Sequence, residues 1–170
     1  MNAVAIGVLL VALERLAEVA WATHNTKALL ANGGYEAGRA HYPLFIALHS
    51  TWLAAILFTA PVGWVVNWLA LAVFVAMQPL RLWVLLTLGE RWTTRILIVP
   101  EAPLVRAGPY RFVRHPNYMV VIVEIAALPI AFREWGVAFI FTVLNAMLLA
   151  WRIKVEEDAL APSRGLIGPS

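Results

Sequence analysis

Cysteine is absent from the 170 residues, which rules out disulfides, thiolate metal sites and cysteine nucleophiles. Charge is scarce as well: 14% of residues are charged and 62% are hydrophobic, against about a quarter and about half in an ordinary soluble domain. A globule of this length has too much surface for its volume to hide so much apolar area. The expected solvent is therefore a bilayer. No run of basic residues accompanies the net charge of +3, so nothing points to nucleic acid. His24, His41, His49 and His115 are scattered, with no pair at ligand spacing on one helix, and no metal is expected. Phosphate loops, nucleophile–base constellations, internal repeats and low-complexity segments are also missing.

What remains is a series of long apolar runs. Crossing a bilayer takes about 20 apolar residues. Five helices are expected, over about 2–21, 42–60, 64–88, 116–132 and 136–155, with a polar loop at 89–118 and a tail at 156–170 that is loose from Pro162. The fold class is thus all-α, an integral membrane bundle forming one transmembrane domain over 1–170. Pro61-Val62-Gly63 is too short for anything but a tight hairpin, and the fourth run must borrow from Pro116 onward to cross fully. The first run carries Glu14, Arg15 and Glu18 without a small-residue cleavage motif, so it reads as a retained helix and not as a signal peptide.

Lysine and arginine set the orientation. Lys27, Arg39, Arg91, Arg95, Arg106, Arg111, Arg114, Arg152, Lys154 and Arg164 fall on one side of the five-helix arrangement, against Arg133 on the other. The amino terminus is expected outside, and the long loop and carboxyl terminus in the cytoplasm. Trp21, Trp64, Trp92, Trp135 and Trp151 fall near helix ends, as an interfacial aromatic belt requires.

Glu14, Arg15, Glu18, His49, Gln78, Arg81 and Glu124 interrupt the apolar runs. Charges at that depth face a bundle interior and are normally paired. Arg15 with Glu18, and Arg81 with Glu124, are the expected pairs; a proton or ion relay is the transporter alternative. Pro79 is expected to kink the third helix.

The chemistry is expected on the cytoplasmic side. The loop reads Ala102-Pro103-Leu104-Val105, then Gly108-Pro109-Tyr110 and Arg114-His115-Pro116-Asn117-Tyr118. Pro116 suits the first position of a helix, whose free amides can hold a carboxylate. Arg152 and Glu156, four residues apart, share a helical face; an interfacial ion pair is the plain reading of that spacing. His115 can equally be a helix cap.

This layout, over about Gln78 to Leu160, resembles the isoprenylcysteine carboxyl methyltransferase family and the related membrane phospholipid methyltransferases. The specific elements are Arg114-His115-Pro116-Asn117-Tyr118 and the downstream Arg152 with Glu156-Glu157. The resemblance implies a membrane enzyme that holds S-adenosyl-L-methionine near the cytoplasmic face under a covering loop. It implies cofactor contacts from Ala102, Pro103, Leu104, Val105, Tyr110, His115, Pro116, Asn117, Tyr118 and Glu156, with Arg95 the nearest polar residue to a further upstream contact. Glu156 and Arg152 would be the catalytic pair, Arg152 facing the acceptor's polar group. Tyr35-Glu36-Ala37-Gly38-Arg39 and His41-Tyr42-Pro43 resemble the bacterial branch associated with alkylpyrone or alkylresorcinol polyketides, which implies a bacterial inner membrane. The acceptor is then a lipid-like small molecule: an isoprenylcysteine-like carboxylate, a ring hydroxyl, or a phospholipid amine. A small transporter or scaffold without catalysis is the non-enzymatic alternative.

Overall fold

The computed structural model describes residues 3–61, 66–100 and 102–164. Five α-helices carry the fold: α1 (Ala3–Ala31), α2 (Tyr42–Thr59), α3 (Trp68–Leu88), α4 (Pro116–Ala131) and α5 (Trp135–Arg164). Three of them, with their flanking turns, are long and apolar enough to cross a membrane: Arg39–Thr59, Trp68–Arg91 and Trp135–Ala161. α4 is shorter and apolar. α1 is long enough but charged at its middle, and those charges point into the bundle while Leu9, Leu10, Leu13 and Leu16 remain outward. The arrangement is that of a multi-pass membrane protein.

α1 runs about ten residues past the expected end at residue 21. Asn25 and Lys27, expected in a polar loop, are helical. Asn25 is 3% exposed, and its amide donates to the carbonyls of Gly89 (3.0 Å) and Trp92 (2.9 Å). Its polarity is thus satisfied inside the fold, where a polar residue had suggested a loop. The helix ends at Gly33 (φ 83), with Gly34 N–H bonded to the Leu29 carbonyl at 2.9 Å.

The chain then forms a small ribbon that the all-α expectation did not contain. β1 (Tyr35–Ala37) pairs antiparallel with β2 (Ile96–Ile98), Glu36 opposite Leu97. The ribbon fastens the α3–α4 connection to the α1–α2 connection. Glu36 secures it, its carboxylate meeting Arg95 at 2.9 Å and Arg39 at 3.3 Å.

α3 starts four residues after the expected position, where Asn67 accepts a hydrogen bond from the Ala70 amide at 3.2 Å. Val62, Gly63 and Trp64, which carry the expected hairpin turn and one of the belt tryptophans, lie outside the described residues. α3 packs mainly along α4, and the Asn67 amide bonds to the Ala131 carbonyl at 2.8 Å, so the two run antiparallel. α4 begins at Pro116 as expected and turns through Phe132–Glu134 into α5. α5 does not stop at residue 155; it continues to Arg164, so Glu156 stands on a helix instead of a loose tail.

The apolar core joins Val4, Val8 and Val11 of α1, Trp52 and Ile56 of α2, Phe74 of α3 and Ile125 and Leu128 of α4. Beside it lies a charged network. Arg81 donates to Glu18 at 3.0 Å and to both oxygens of Glu124, with Nε at 3.0 Å. Arg15 reaches Glu18 at 2.9 Å and Glu124 at 3.3 Å, and Gln78 donates to Glu124 at 2.9 Å. The two expected pairs are both present and fused into one network that ties α1, α3 and α4.

Candidate functional site

Above the charged network, at the arginine-rich end of the bundle, the chain encloses a cavity of about 510 Å³. Its walls come from the ends of α1 and α3 (Leu29, Leu88), β2, the loop before α4, the start of α4 and one face of α5. Ligand cavities typically measure about 300–1,000 Å³.

Ala102, Pro103, Leu104, Val105, Tyr110, His115, Asn117, Tyr118, Arg152 and Glu156 all line it, and Arg95 does so too. Pro116 is buried behind the wall as the first residue of α4. The loop before α4 and the face of α5 thus meet across one space, with His115 and Glu156 on the same cavity.

Several polar wall residues are positioned by identifiable contacts. Arg91 Nη1 donates to the Pro103 carbonyl at 2.7 Å and so holds the 102–105 stretch. Arg152 Nε donates to the Tyr118 hydroxyl at 2.8 Å, and that hydroxyl donates to Glu156. Arg152 Nη2 also donates to the Thr94 carbonyl at 3.0 Å. Arg152 and Glu156 are therefore not a plain i to i+4 ion pair; a tyrosine hydroxyl relays between them. The His115 ring stacks on Tyr118, with centroids 5.2 Å apart and planes at 17°. Burial, and then the negative charge of Glu156, push the Tyr110 hydroxyl above its usual range, so it remains a hydrogen-bond donor throughout the neutral range.

The start of α4 offers less than its sequence promised. Pro116 has no N–H, and the Tyr118 and Met119 amides both turn back to the His115 carbonyl, at 3.1 and 3.3 Å. Anion binding there falls chiefly to side chains. Arg95, the nearest polar residue to an upstream contact, is engaged elsewhere: it pairs with Glu36 and its guanidinium lies 4.4 Å over the Tyr42 ring.

Three buried side-chain atoms on this wall have no hydrogen-bond partner among the described residues: His115 Nε2, Asn117 Oδ1 and Trp92 Nε1. The nearest acid to His115 Nε2 is Glu157, at 3.7 Å, beyond hydrogen-bond reach. Unmatched buried polar atoms around a cavity call for a partner there, either water or a ligand. Trp92 was expected in the interfacial belt, yet it is 4% exposed and faces this cavity. Trp92 lines the cavity and was missed by motif reading, as were Asn25 and Thr94, which do not line it but hold Trp92 and Arg152 in place through hydrogen bonds. One signal was present: the buried positions of α1, namely Val4, Val8, Val11, Glu18, Ala22 and Asn25, keep the three-and-four spacing of one helix face.

Gly108 joins the cavity wall to α3. Its φ is +55°, and a Cβ there would overlap the Thr87 hydroxyl and press on Trp83. Gly89 has a similar φ of +53° but open space around it. Gly89→Ala is expected to cost about 1–3 kcal/mol for its positive-φ backbone alone, and Gly108→Ala more, because overlap with Thr87 is added. Thermal melts of the two variants check this; equal losses would mean that the contact with Thr87 is not tight.

Residues 68–162 match the family model described as the isoprenylcysteine carboxyl methyltransferase (ICMT) family. An uncharacterized protein of Bacillus subtilis (strain 168), YpbQ, is 37% identical over 154 residues, which cover 86% of this chain and 90% of the relative. An uncharacterized protein of Haemophilus influenzae (strain ATCC 51907 / DSM 11121 / KW20 / Rd) is 30% identical over 140 residues, covering 79% and 81%. No solved structure matches the chain.

Proposed function

We infer that this chain, which belongs to the isoprenylcysteine carboxyl methyltransferase family, is a membrane methyltransferase that uses S-adenosyl-L-methionine on the carboxylate of a lipid-like acceptor. The observation that carries the reading is the charge of the cavity wall. Arg91, Arg95, Arg106, Arg114 and Arg152 line it, with Glu156 the one carboxylate among the described residues. That is a site for anions with a single place for a cation.

The residues fit the cofactor on those grounds. Its amino-acid end is zwitterionic: Glu156 would take the ammonium, and His115 Nε2, when protonated, can donate to the carboxylate. Trp92 and Asn117 add one unmatched donor and one unmatched acceptor. When bound, the cofactor supplies a sulfonium methyl that an anionic oxygen can take by in-line displacement. Arg152 orients the acceptor, since Nε and Nη2 are fixed on Tyr118 and Thr94 and leave Nη1 for an anion. A carboxylate arrives ionised at neutral pH and needs no base. Transfer then depends chiefly on positioning the two reactants. By the distribution of lysine and arginine, the cavity faces the cytoplasm of a bacterial inner membrane, with the amino terminus outside.

A second reading has its own support. His115 Nε2 lines the cavity without a hydrogen-bond partner among the described residues and is placed to accept a proton, which suits a ring hydroxyl of an alkylpyrone or alkylresorcinol. Phospholipid amines are disfavoured, because the ammonium to be methylated finds no second carboxylate on the described wall once Glu156 holds the cofactor.

The test has two stages. Calorimetric titration with S-adenosylhomocysteine comes first; no binding at high micromolar concentration is the outcome for a transporter or scaffold and removes the enzyme reading. Transfer from labelled cofactor into prenylcysteines, alkylpyrones and phosphatidylethanolamine then identifies the acceptor, and labelling of the amine alone contradicts the anionic assignment. Arg152→Lys is expected to lower acceptor kcat/KM by roughly 30- to 100-fold, because an ammonium cannot hold tyrosine, carbonyl and acceptor together. Cofactor affinity should change less than about fivefold, so a loss confined to cofactor binding contradicts the role given to Arg152.

A further inference from the structure

Residues 106–114 read Arg-Ala-Gly-Pro-Tyr-Arg-Phe-Val-Arg and contain no acid. Gly108 and Pro109 press the segment on the last turns of α3, and from there it runs along the outside of the bundle. Phe112 is 72% exposed. Its ring meets Trp83 edge-on at 6.5 Å, and Trp83 belongs with Leu82 and Leu86 to the outward surface of α3. The Arg111 guanidinium lies 5.3 Å over the Phe112 ring. Arg106, Arg111 and Arg114 are all exposed, Arg114 having a 4.0 Å contact with Glu157 that water largely screens.

An exposed phenylalanine continuous with the outward face of a spanning helix, and ringed by guanidiniums, matches the layered chemistry of a leaflet surface. The ring suits the acyl boundary and the arginines suit the phosphates just above it. We propose that residues 106–114 are a docking site for anionic phospholipid headgroups, and that this docking steadies the wall of the cofactor cavity. The first half stands on the surface alone. The second rests on the methyltransferase reading, because Arg106, Tyr110 and Arg114 of the same segment line the cavity. Arg111 and Phe112 lie on the outer surface and do not line it. Lipid phosphates engaging them hold the segment from outside, which removes part of the ordering cost of closing the wall around a ligand.

The test uses the full chain in nanodiscs of phosphatidylcholine with increasing phosphatidylglycerol. The sequence has no cysteine, so Val113→Cys takes a single environment-sensitive fluorophore beside Phe112. Its emission is expected to shift to the blue, and to be quenched by a bilayer-embedded quencher, as phosphatidylglycerol rises. In parallel, S-adenosylhomocysteine affinity is expected to rise about fivefold to tenfold between none and about 30 mol% phosphatidylglycerol. Arg111→Gln with Phe112→Ser should match the parent in phosphatidylcholine and lose that gain, since neither residue lines the cavity. A water-like emission that ignores lipid charge overturns the docking site, and so does a gain that survives in the double variant. Emission that responds while no disc binds the cofactor product leaves the docking site standing and removes the enzyme reading instead.

Discussion

Glu156→Gln is expected to weaken S-adenosylhomocysteine binding by roughly 10- to 100-fold, with little effect on folding. A hydrogen bond to a charged group is worth about 1.5–3 kcal/mol, and about 1.4 kcal/mol is a factor of ten. Glutamine keeps the shape and can still accept from Tyr118, but it removes the single negative charge from a wall otherwise lined by arginines. An ammonium entering that space would then meet only guanidiniums. Glu157 provides the control. Its side chain is 36% exposed, it faces Arg114 and His115 at 4.0 and 3.7 Å, and it does not line the cavity. Glu157→Gln should change affinity by less than about threefold, as surface pairs do. Titration calorimetry on both variants decides the matter: equal losses would mean that the effect is general electrostatics of this end of the bundle, and that Glu156 has no specific partner in the cofactor.

How much of this was legible in the sequence differs from element to element. The start of α4 was legible because proline admits few backbone positions, and Pro116 marks it to the residue. The meeting of the pre-α4 loop with α5 was legible because two short motifs, separated by two apolar runs, must lie on the same side of a bilayer. The far end of α1 was not. Asn25 and Lys27 look like loop residues until the fold supplies a carbonyl pair for Asn25, which no local pattern encodes. The ribbon was hidden for a similar reason: Ile96-Leu97-Ile98 is too short to declare itself, and pairing with Tyr35-Glu36-Ala37 is set across some sixty residues by the Glu36–Arg95 contact. Trp92 was misassigned because position near a helix end is equally compatible with a headgroup belt and with a cavity wall; only packing against Ala22, Val84 and Leu85 separates them. The relay through Tyr118 was likewise invisible, since spacing shows that Arg152 and Glu156 share a face and says nothing of what stands between them.

Arg81→Met should destabilise the bundle by about 3–5 kcal/mol, because it strands buried charge. Arg81 is 4% exposed and holds Glu18 and Glu124 at once, from two other helices. With its guanidinium gone, Glu124 retains Arg15 at 3.3 Å and the Gln78 amide at 2.9 Å, and Glu18 retains Arg15 at 2.9 Å; Glu14 also meets Arg15 at 3.4 Å, so one guanidinium must answer three carboxylates. Removing the partner as well changes the sign of the argument. Arg81→Met with Glu124→Met replaces two buried ions by side chains of suitable length, which is often neutral in a packed interior. The double variant should therefore recover at least half of the loss, a difference of roughly 3–10 °C in melting temperature for a chain of this size. Thermal unfolding of the two variants beside the parent also separates the structural role from an ion or proton path. A path depends on the charges themselves, so removing both would abolish it whether or not the bundle stands. A double variant as unstable as the single one would mean that the network does more than neutralise itself, and that α1 needs these charges for its place against α3 and α4.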